Sequence, residues 1–374
     1  MRKMVWMMMV VCFVAGGVFA EETVSKEAFN ALQLEVAQLR AMLQENQAQT
    51  AAVQTKVDER AALPTLSIPE GLEFSGVIEV EAGYNSTGDE DASDISLATV
   101  ELAAGWQFDE WVRADVVALY EDGEELDIDQ GFITLGNPEV TPFFLQLGKM
   151  YVPFGNFDSL FISDPIVLEL GEAQEDAALL GFEKGGFFAS VSVFNGDVQT
   201  DGESQVENAV VAASYTIENE DSSVAFGAAW IRNIMDSDGL TGMLDDSGYV
   251  TTSDDTGGLN AWVSATMGPA TLIAEYVKVL DSISIDGVDT GFQPESLNLE
   301  LGFALSDRVD VAGKIEKSRG VADWFAETRC GVVCNVLLRE TDLYSTGLSL
   351  EYMHEEFDGG PDADLITMQL GLEF

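Results

Sequence analysis

The stretch Asp364-Leu-Ile-Thr-Met-Gln-Leu-Gly-Leu-Glu-Phe374 alternates between apolar and polar residues along its length. Residues two apart lie on the same side of a strand, so the stretch is predicted to be a β-strand with one apolar and one polar face. The apolar face carries Ile366, Met368, Leu370, Leu372 and Phe374. An open edge on such a strand invites aggregation, and closing the sheet into a barrel removes the edge. The edge strand of a soluble sandwich is the alternative.

The same alternation recurs from Leu72 onward. In the second segment Val100 and Leu102 alternate with Thr99 and Glu101. Apolar residues facing lipid and polar residues facing a lumen are typical of membrane barrels. We therefore predict an all-β transmembrane barrel of about 16 antiparallel strands over residues 72–374. A barrel this wide encloses an aqueous lumen.

The connections between the predicted strands alternate in length. Tight turns are predicted at 107–110, 185–186, 268–269, 306–308 and 339–342. Longer connections are predicted at 85–93, 150–176, 234–257 and 317–328. Short turns on the periplasmic side and longer loops outside are typical of outer-membrane barrels. We therefore expect the bacterial outer membrane, with membrane lipids around the barrel.

Residues 1–20 have the form of a secretory signal peptide, because Arg2 and Lys3 precede an apolar run that ends in Val18-Phe19-Ala20. The formal net charge of the chain is −49, and loss of Arg2 and Lys3 brings it to about −51. This charge argues against a nucleic-acid partner. It indicates either solvation at a cell surface or a field that attracts cations.

Residues 21–62 repeat apolar residues in sevens and predict a short N-terminal coiled-coil helix, a stalk in the periplasm. The a positions carry Phe29, Val36, Leu43, Thr50 and Val57. Because coiled coils associate, the stalk favours an oligomer, and a homotrimer would suit a porin; a single frayed helix is the alternative. Residues 63–71 contain two prolines and predict a linker.

Cys330 and Cys334 fall on one predicted strand. Four residues along a strand span about 13 Å, whereas bridged Cα atoms lie within about 7 Å. We therefore predict two unbridged, lipid-facing cysteines. No acidic run has the spacing of a calcium loop, so we expect neither a metal site nor a cofactor.

The connection at 150–176 follows the fifth strand and is the third outer loop by strand count; it is long enough to fold into the lumen, or it remains a surface loop on the rim. Charged and aromatic groups at a constriction set the selectivity of a channel. The predicted constriction residues are Lys149, Tyr151, Phe154, Asp158, Asp164, Glu169 and Glu172. The predicted lumen-facing residues are Glu79, Glu101, Arg113, Asp115, Glu300, Lys314 and Arg329.

The motifs Gly148-Lys-Met-Tyr-Val-Pro-Phe-Gly155 and Ser163-Asp-Pro-Ile-Val-Leu-Glu-Leu-Gly-Glu172 resemble the siderophore porin family typified by the legiobactin-uptake channel. The first motif is also similar to phosphate-selective porins. The resemblance implies an outer-membrane channel for small solutes that aids uptake of ferric siderophores. It also implies that Leu370, Leu372 and Phe374 form an assembly signal read by the barrel-assembly machinery. The eleven basic residues of the barrel form no ladder suited to phosphate.

Other functional classes are a general cation-selective porin and a structural barrel that anchors the stalk. An energy-coupled receptor is disfavoured, since such receptors use 22 strands and a plug. An outer-membrane lipase would need a catalytic histidine. The one histidine, His354, is predicted at the outer end of the fifteenth strand with no nucleophile motif beside it, so we predict that the protein is not an enzyme.

Overall fold

The protein is described here from a computed structural model. The structure describes residues 71–374 except 89, 138–139, 201–204, 247–250, 253, 286–287 and 322–323. The predicted signal peptide, stalk and nearly all of the linker therefore lie outside the described residues.

Sixteen strands form one closed antiparallel barrel, which confirms the predicted fold class. The first eight are β1 Leu72–Thr87, β2 Glu90–Gln107, β3 Val112–Glu121, β4 Asp127–Gly136, β5 Phe143–Tyr151, β6 Gln174–Lys184, β7 Phe187–Phe194 and β8 Asn208–Asn219. The others are β9 Ser222–Ile231, β10 Gly258–Met267, β11 Ala270–Val279, β12 Glu295–Ser306, β13 Val309–Arg319, β14 Thr328–Glu340, β15 Ser345–Glu356 and β16 Ala363–Glu373. Each strand pairs with its neighbours in sequence.

The barrel closes where β16 pairs with β1. The Phe374 backbone nitrogen donates to the Gly76 carbonyl oxygen at 3.0 Å, and the Gly76 nitrogen donates back at 2.9 Å. A Cβ atom on Gly76 would overlap the Phe374 ring, so glycine leaves the space in which that ring lies. The closure removes the unpaired edge that β16 would otherwise present.

The two faces of the barrel have opposite character. On β12 the outward side chains of Leu301 and Phe303 are 61% and 48% exposed, whereas the inward Asn298 and Glu300 are 0% exposed. The sheet therefore turns its apolar face outward, as a barrel in lipid requires and a soluble sandwich does not.

Aromatic side chains gather near both ends of the outward face. At the end that carries the short turns, the turn end, Trp106 stacks on Phe108 with ring centroids 4.4 Å apart. At the opposite end, the loop end, three tyrosine hydroxyls donate to carboxylates. The pairs are Tyr84 with Asp91 at 3.0 Å, Tyr276 with Glu295 at 2.7 Å and Tyr352 with Asp364 at 2.7 Å. Rings with an apolar body and a polar tip suit the two interfaces of a membrane.

One predicted connection is wrong. The expected long loop at 85–93 is a tight hairpin, because β1 continues to Thr87 and β2 begins at Glu90. The hydrophobic pattern ends at Tyr84, but pairing continues between polar residues such as Ser86 and Asp91. Outside lipid a strand needs no apolar face, so the alternation of apolar residues ends before the strand does, and this explains the error.

Two short helices lie in the longer connections, α1 at Ile166–Gly171 and α2 at Asp238–Asp246, with a 3-10 turn at Ile234–Asp236. Within the described ranges, no helix has the length and apolar character needed to cross a membrane. Cys330 and Cys334 both lie on β14 and are unbridged, and they share its outward face with the exposed Val332.

Candidate pore constriction

Residues 152–173, which we call L3, connect β5 to β6 and contact the inner wall of β11, β12, β13 and β15. These strands lie far from β5 around the barrel, so L3 crosses the lumen. Four inward glutamates hold the loop there: Glu275, Glu300, Glu316 and Glu351.

Glu275 on β11 receives the first contacts. Its two carboxylate oxygens accept the backbone N–H groups of Asn156 at 2.9 Å and Phe157 at 2.7 Å. Phe157 has a φ of 54°, a left-handed conformation that is uncommon for an aromatic residue. The carboxylate therefore stabilises a turn that the local sequence does not favour. Asn260 donates to the same carboxylate at 2.7 Å and fixes its orientation.

Glu300 and Glu351 hold the middle of L3. Glu300 accepts the Ser159 hydroxyl at 2.8 Å and the Leu160 N–H at 2.7 Å. Glu351 accepts the Ile162 N–H at 2.7 Å, the Ser163 N–H at 3.1 Å and a further bond from the Ser163 hydroxyl. Hydrogen bonds to an ionised group contribute more than neutral ones, about 1.5–3 kcal/mol each.

Glu316 on β13 accepts the N–H of Ile166, the first residue of α1, at 2.7 Å. This N–H has no partner within the helix, because the first turn of a helix leaves its N–H groups unpaired. Glu316 is 0% exposed, so its carboxylate is held entirely by protein groups. The bond attaches the start of α1 to the barrel wall.

Two of the predicted basic lumen residues lie beneath L3. The Lys314 ammonium is 3.2 Å from the Glu300 carboxylate, donates to the Ser163 carbonyl at 3.2 Å and lies 4.8 Å from the centre of the Phe161 ring. Both charged side chains of the Lys314–Glu300 pair are 0% exposed. Lys314 therefore faces inward as predicted, but L3 covers it.

Arg329 is held in the same way. Its guanidinium lies 2.6 Å from Glu355 and 3.4 Å from Glu316, and it donates to the Asp164 carbonyl at 2.7 Å. The positive charges of Lys314 and Arg329 are therefore paired with carboxylates and L3 carbonyls and do not face the open lumen.

The opposite wall, formed by β16 and β1–β3, remains open to water. Glu79 and Glu101 face inward there, half-exposed, whereas Glu300, Glu316 and Glu351 under L3 are buried. Glu81 accepts the Gln369 side-chain amide at 2.9 Å across the β1–β16 seam. We call the space between L3 and this wall the lane.

The lane has one described basic residue on its wall. Arg113 on β3 lies 2.8 Å from Asp115 and 3.4 Å from Glu73, so two carboxylates neutralise its charge. A cavity of about 250 Å³ continues the lane toward the turn end. Its polar lining includes Glu79, Asp310, Asn335, Ser349, Gln369 and Glu373. In the described part of the chain, no group of three His, Cys, Asp or Glu side chains is placed to hold a metal ion.

The acidic residues of L3 lie in different surroundings. Asp158 and Asp164 are exposed. Although Asp164 keeps part of its surface in water, the protein atoms crowded around its carboxyl group remove part of its hydration and raise its pKa, whereas the charges of Lys314 and Arg329 lower it. Burial also raises the pKa of Glu169, and nearby Asp164 adds to the effect.

Glu172 lies at the junction of α1 and α2. Burial raises its pKa to about 8, and the nearby carboxylate of Asp238 adds to the shift. The N–H of Asp238 donates to the Glu172 carbonyl at 2.8 Å. A Cβ atom on Gly239 would overlap the carbonyl oxygen of Glu169, so glycine permits this close approach of the two helices.

An apolar cluster inside the barrel supports this side of the loop. Phe154 and Leu170 of L3 join Ile231, Leu240 and Val277 in one buried core. Water is therefore excluded between L3, residues 232–243 and the wall that they cover.

Three predicted constriction residues have other positions. Lys149 and Tyr151 belong to β5 rather than to the loop. Lys149 shares the outward face of β5 with Leu147 and lies 3.7 Å from Asp127, while the Tyr151 hydroxyl donates to Asp129 at 2.9 Å. Phe154 is 1% exposed in the core. Strand pairing and apolar packing, which a loop motif does not reveal, account for these corrections.

The structure also identifies positions that sequence reasoning missed. Glu275, Glu316 and Glu351 were not among the predicted lumen residues, although Glu275 and Glu351 are inward carboxylates between apolar neighbours and Glu316 follows the outward Ile315. That alternation was the available signal. It identifies an inward face but does not indicate which carboxylates a distant loop will cover.

Comparisons with known proteins agree with this architecture. No family model matches the chain. A UPF0422 protein of Coxiella burnetii is 26% identical over 326 residues, which are 81% of this chain and 68% of that protein. The UPF0422 protein lpg2959 of Legionella pneumophila is 25% identical over 186 residues, 45% of this chain and 34% of that protein. Neither name refers to siderophores, so the siderophore family stays a prediction.

Solved outer-membrane channels share the fold. The channel DcaP of Acinetobacter baumannii matches with a TM-score of 0.55 at 13% identity, over 81% of this chain and 97% of that chain. OprB of Pseudomonas putida matches with a TM-score of 0.58 at 10% identity, over 81% and 94%. An anion-selective porin of Comamonas acidovorans matches with a TM-score of 0.57 at 11% identity, over 81% and 99%. The chain therefore has the fold of an outer-membrane porin.

Proposed function

We propose that the protein is an outer-membrane porin whose lane conducts small solutes and favours cations. The observation that carries the proposal is the path of L3. The loop is bonded to the β11–β15 side of the lumen, which covers Lys314 and Arg329, and it leaves open the wall that carries Glu79 and Glu101. Fixed charges of one sign at a constriction attract ions of the opposite sign.

The loop end would face the exterior and the turn end the periplasm, in line with the usual asymmetry of these barrels. The heptads of residues 21–62 support a periplasmic stalk and a homotrimer. Phe374 and its alternate apolar neighbours support recognition by the barrel-assembly machinery. These partners follow from the sequence and the proposed location.

Reversal potentials in a salt gradient across a planar bilayer test the proposal. We expect cation preference at low salt that weakens at high salt, because the Debye length falls from about 10 Å at 0.1 M to about 3 Å at 1 M. The variant Glu79→Gln/Glu101→Gln should lower the preference. Glu220→Gln, in the exposed turn between β8 and β9, is the matched control and should not. Anion preference in the wild-type protein would refute the proposal.

Siderophore uptake is the finer hypothesis, supported by the Gly148–Gly155 and Ser163–Glu172 resemblance. An acidic lane restricts it to neutral or cationic ferric complexes, since like charge repels anionic ones. Proteoliposome uptake of one neutral and one anionic ferric complex of similar size tests this. If both complexes pass at equal rates, the pore conducts ferric siderophores but does not select them by charge. If neither complex passes through a pore that still conducts ions, the siderophore hypothesis is wrong and the general cation-selective porin is favoured.

A further inference from the structure

Three basic residues lie together on the outward face at the loop end, in a chain that has 17 basic and 66 acidic residues. Lys278 is on β11, and Lys317 and Arg319 are on β13. We call these three residues the basic patch. They share this face with exposed apolar residues: Lys278 with Leu272 on β11, and Lys317 with Ile315 on β13.

Strand pairing holds the basic patch together. Glu295 on β12 pairs in register with Lys278 on one side and with Arg319 on the other. Its carboxylate lies 2.9 Å from the Lys278 ammonium and 3.8 Å from the Arg319 guanidinium. Lys317 pairs with Leu297 and donates to the Thr328 hydroxyl at 2.7 Å.

The patch keeps positive charge available to solvent. Glu295 offsets one of three formal positive charges, and the next outward carboxylate along this row, Glu356, lies beyond Thr328. The side chains of Lys278 and Arg319 are 40% and 82% exposed. The charges of the lumen differ, because Lys314 is buried against Glu300.

The patch lies at the boundary of the apolar band. Lys317 is beside Leu297, and Leu299 and Ile315 follow one step toward the centre of the barrel, all three apolar side chains 40–43% exposed. The Tyr276 hydroxyl donates to Glu295 at 2.7 Å at the same level. Charged groups just outside hydrocarbon are placed at the height of lipid headgroups.

We propose that the basic patch binds the phosphate group of a membrane lipid headgroup. Arginine presents paired N–H donors that match phosphate geometry, and lysine supplies further charge. Glu295 holds Lys278 and Arg319 side by side, so these side chains lose less conformational entropy when a phosphate binds. The proposal uses the membrane location of the proposed function but does not depend on conduction through the lane.

Native mass spectrometry of the full-length protein in neutral detergent tests the proposal, with lipid A carrying two phosphates as the probe. We expect Lys278→Gln/Lys317→Gln/Arg319→Gln to weaken binding about tenfold. The matched control, Lys184→Gln/Arg308→Gln/Arg339→Gln, removes three exposed basic residues at the turn end and should bind as the wild type does. Dephosphorylated lipid A should bind both triple variants and the wild type equally weakly.

Equal weakening by the two triple variants would overturn the proposal, because it would indicate non-specific attraction. So would full competition by millimolar inorganic phosphate, which would indicate a site for the free anion. A change in oligomer mass in the patch variant, with lipid binding unchanged, would indicate that a second copy of the chain occupies the patch. Single-channel conductance of the patch variant should equal that of the wild type. Loss of lipid binding and loss of conduction are therefore separate results, and the lipid site can be refuted without refuting the pore.

Discussion

The carboxylate of Glu316 lies 2.7 Å from the backbone nitrogen of Ile166, 150 positions away in the sequence. The bond joins the start of α1 to the wall of β13 and, with the contacts of Glu275, Glu300 and Glu351, holds L3 across the lumen. The size of the lane therefore depends on inward carboxylates that do not themselves border it.

Glu316→Gln should loosen L3 without unfolding the barrel. Arg329 keeps its 2.6 Å contact with Glu355, so the principal loss is the charge-assisted bond to Ile166. The Gln side-chain oxygen can still accept this N–H as a neutral hydrogen bond, so the loss is about 1 kcal/mol, which corresponds to roughly fivefold faster amide exchange in residues 162–170. Single-channel current should become noisier. Glu81→Gln is the inward control on β1, and equal noise in both variants would contradict the role of Glu316.

Lys314→Met should destabilise the protein strongly, because it leaves the carboxylate of Glu300 buried without its cation. Breaking a buried ion pair in this way costs about 3–5 kcal/mol. The double variant Lys314→Met/Glu300→Gln should recover part of the loss. Urea unfolding in detergent measures the free energy of unfolding of the wild type and the variants. The folded fraction is read from the gel mobility of unheated samples, because a folded barrel migrates differently from the unfolded chain. Additive losses in the double variant would show that the two side chains do not interact.

The docking of α1 on α2 should weaken as the pH rises. Burial raises the pKa of Glu172 to about 8, so between its ordinary value near 4.5 and about 8 the folded protein holds a proton that the unfolded chain releases. The free energy of unfolding then falls with rising pH across this window. Amide exchange in residues 166–173, corrected for its intrinsic rate, should increase from pH 6 to pH 9. Glu172→Gln should flatten this profile, whereas Asp158→Asn should retain it.

Phe374→Ser should lower the amount of barrel in the outer membrane more than it lowers folded stability. The ring is one outward side chain beside Gly76, and its burial contributes about 1.5–3 kcal/mol. Phe303→Ser removes an outward aromatic from the internal strand β12 at a similar cost and is the control. Quantitative blotting of outer-membrane fractions measures the amount of each variant. Equal amounts of the two variants would argue against an assembly role for Phe374.

The alternation of residues determined the barrel and the orientation of its strands. Leu301 and Phe303 face outward, and Asn298 and Glu300 face inward, as their spacing predicts. This information is local, because a strand turns every second residue to the same side whatever lies beyond it. The same locality explains the missed hairpin at 85–93, where polar strand residues leave the membrane and the pattern ends.

Only the tertiary structure decided which inward carboxylates meet water. Glu101 and Glu300 look alike in sequence, each between outward apolar neighbours. Glu101 remains half-exposed, whereas Glu300 is fully buried because Ser159 and Leu160 reach it from about 140 positions away. The path of L3 depends on bonds and packing between distant segments, and no local pattern records those contacts.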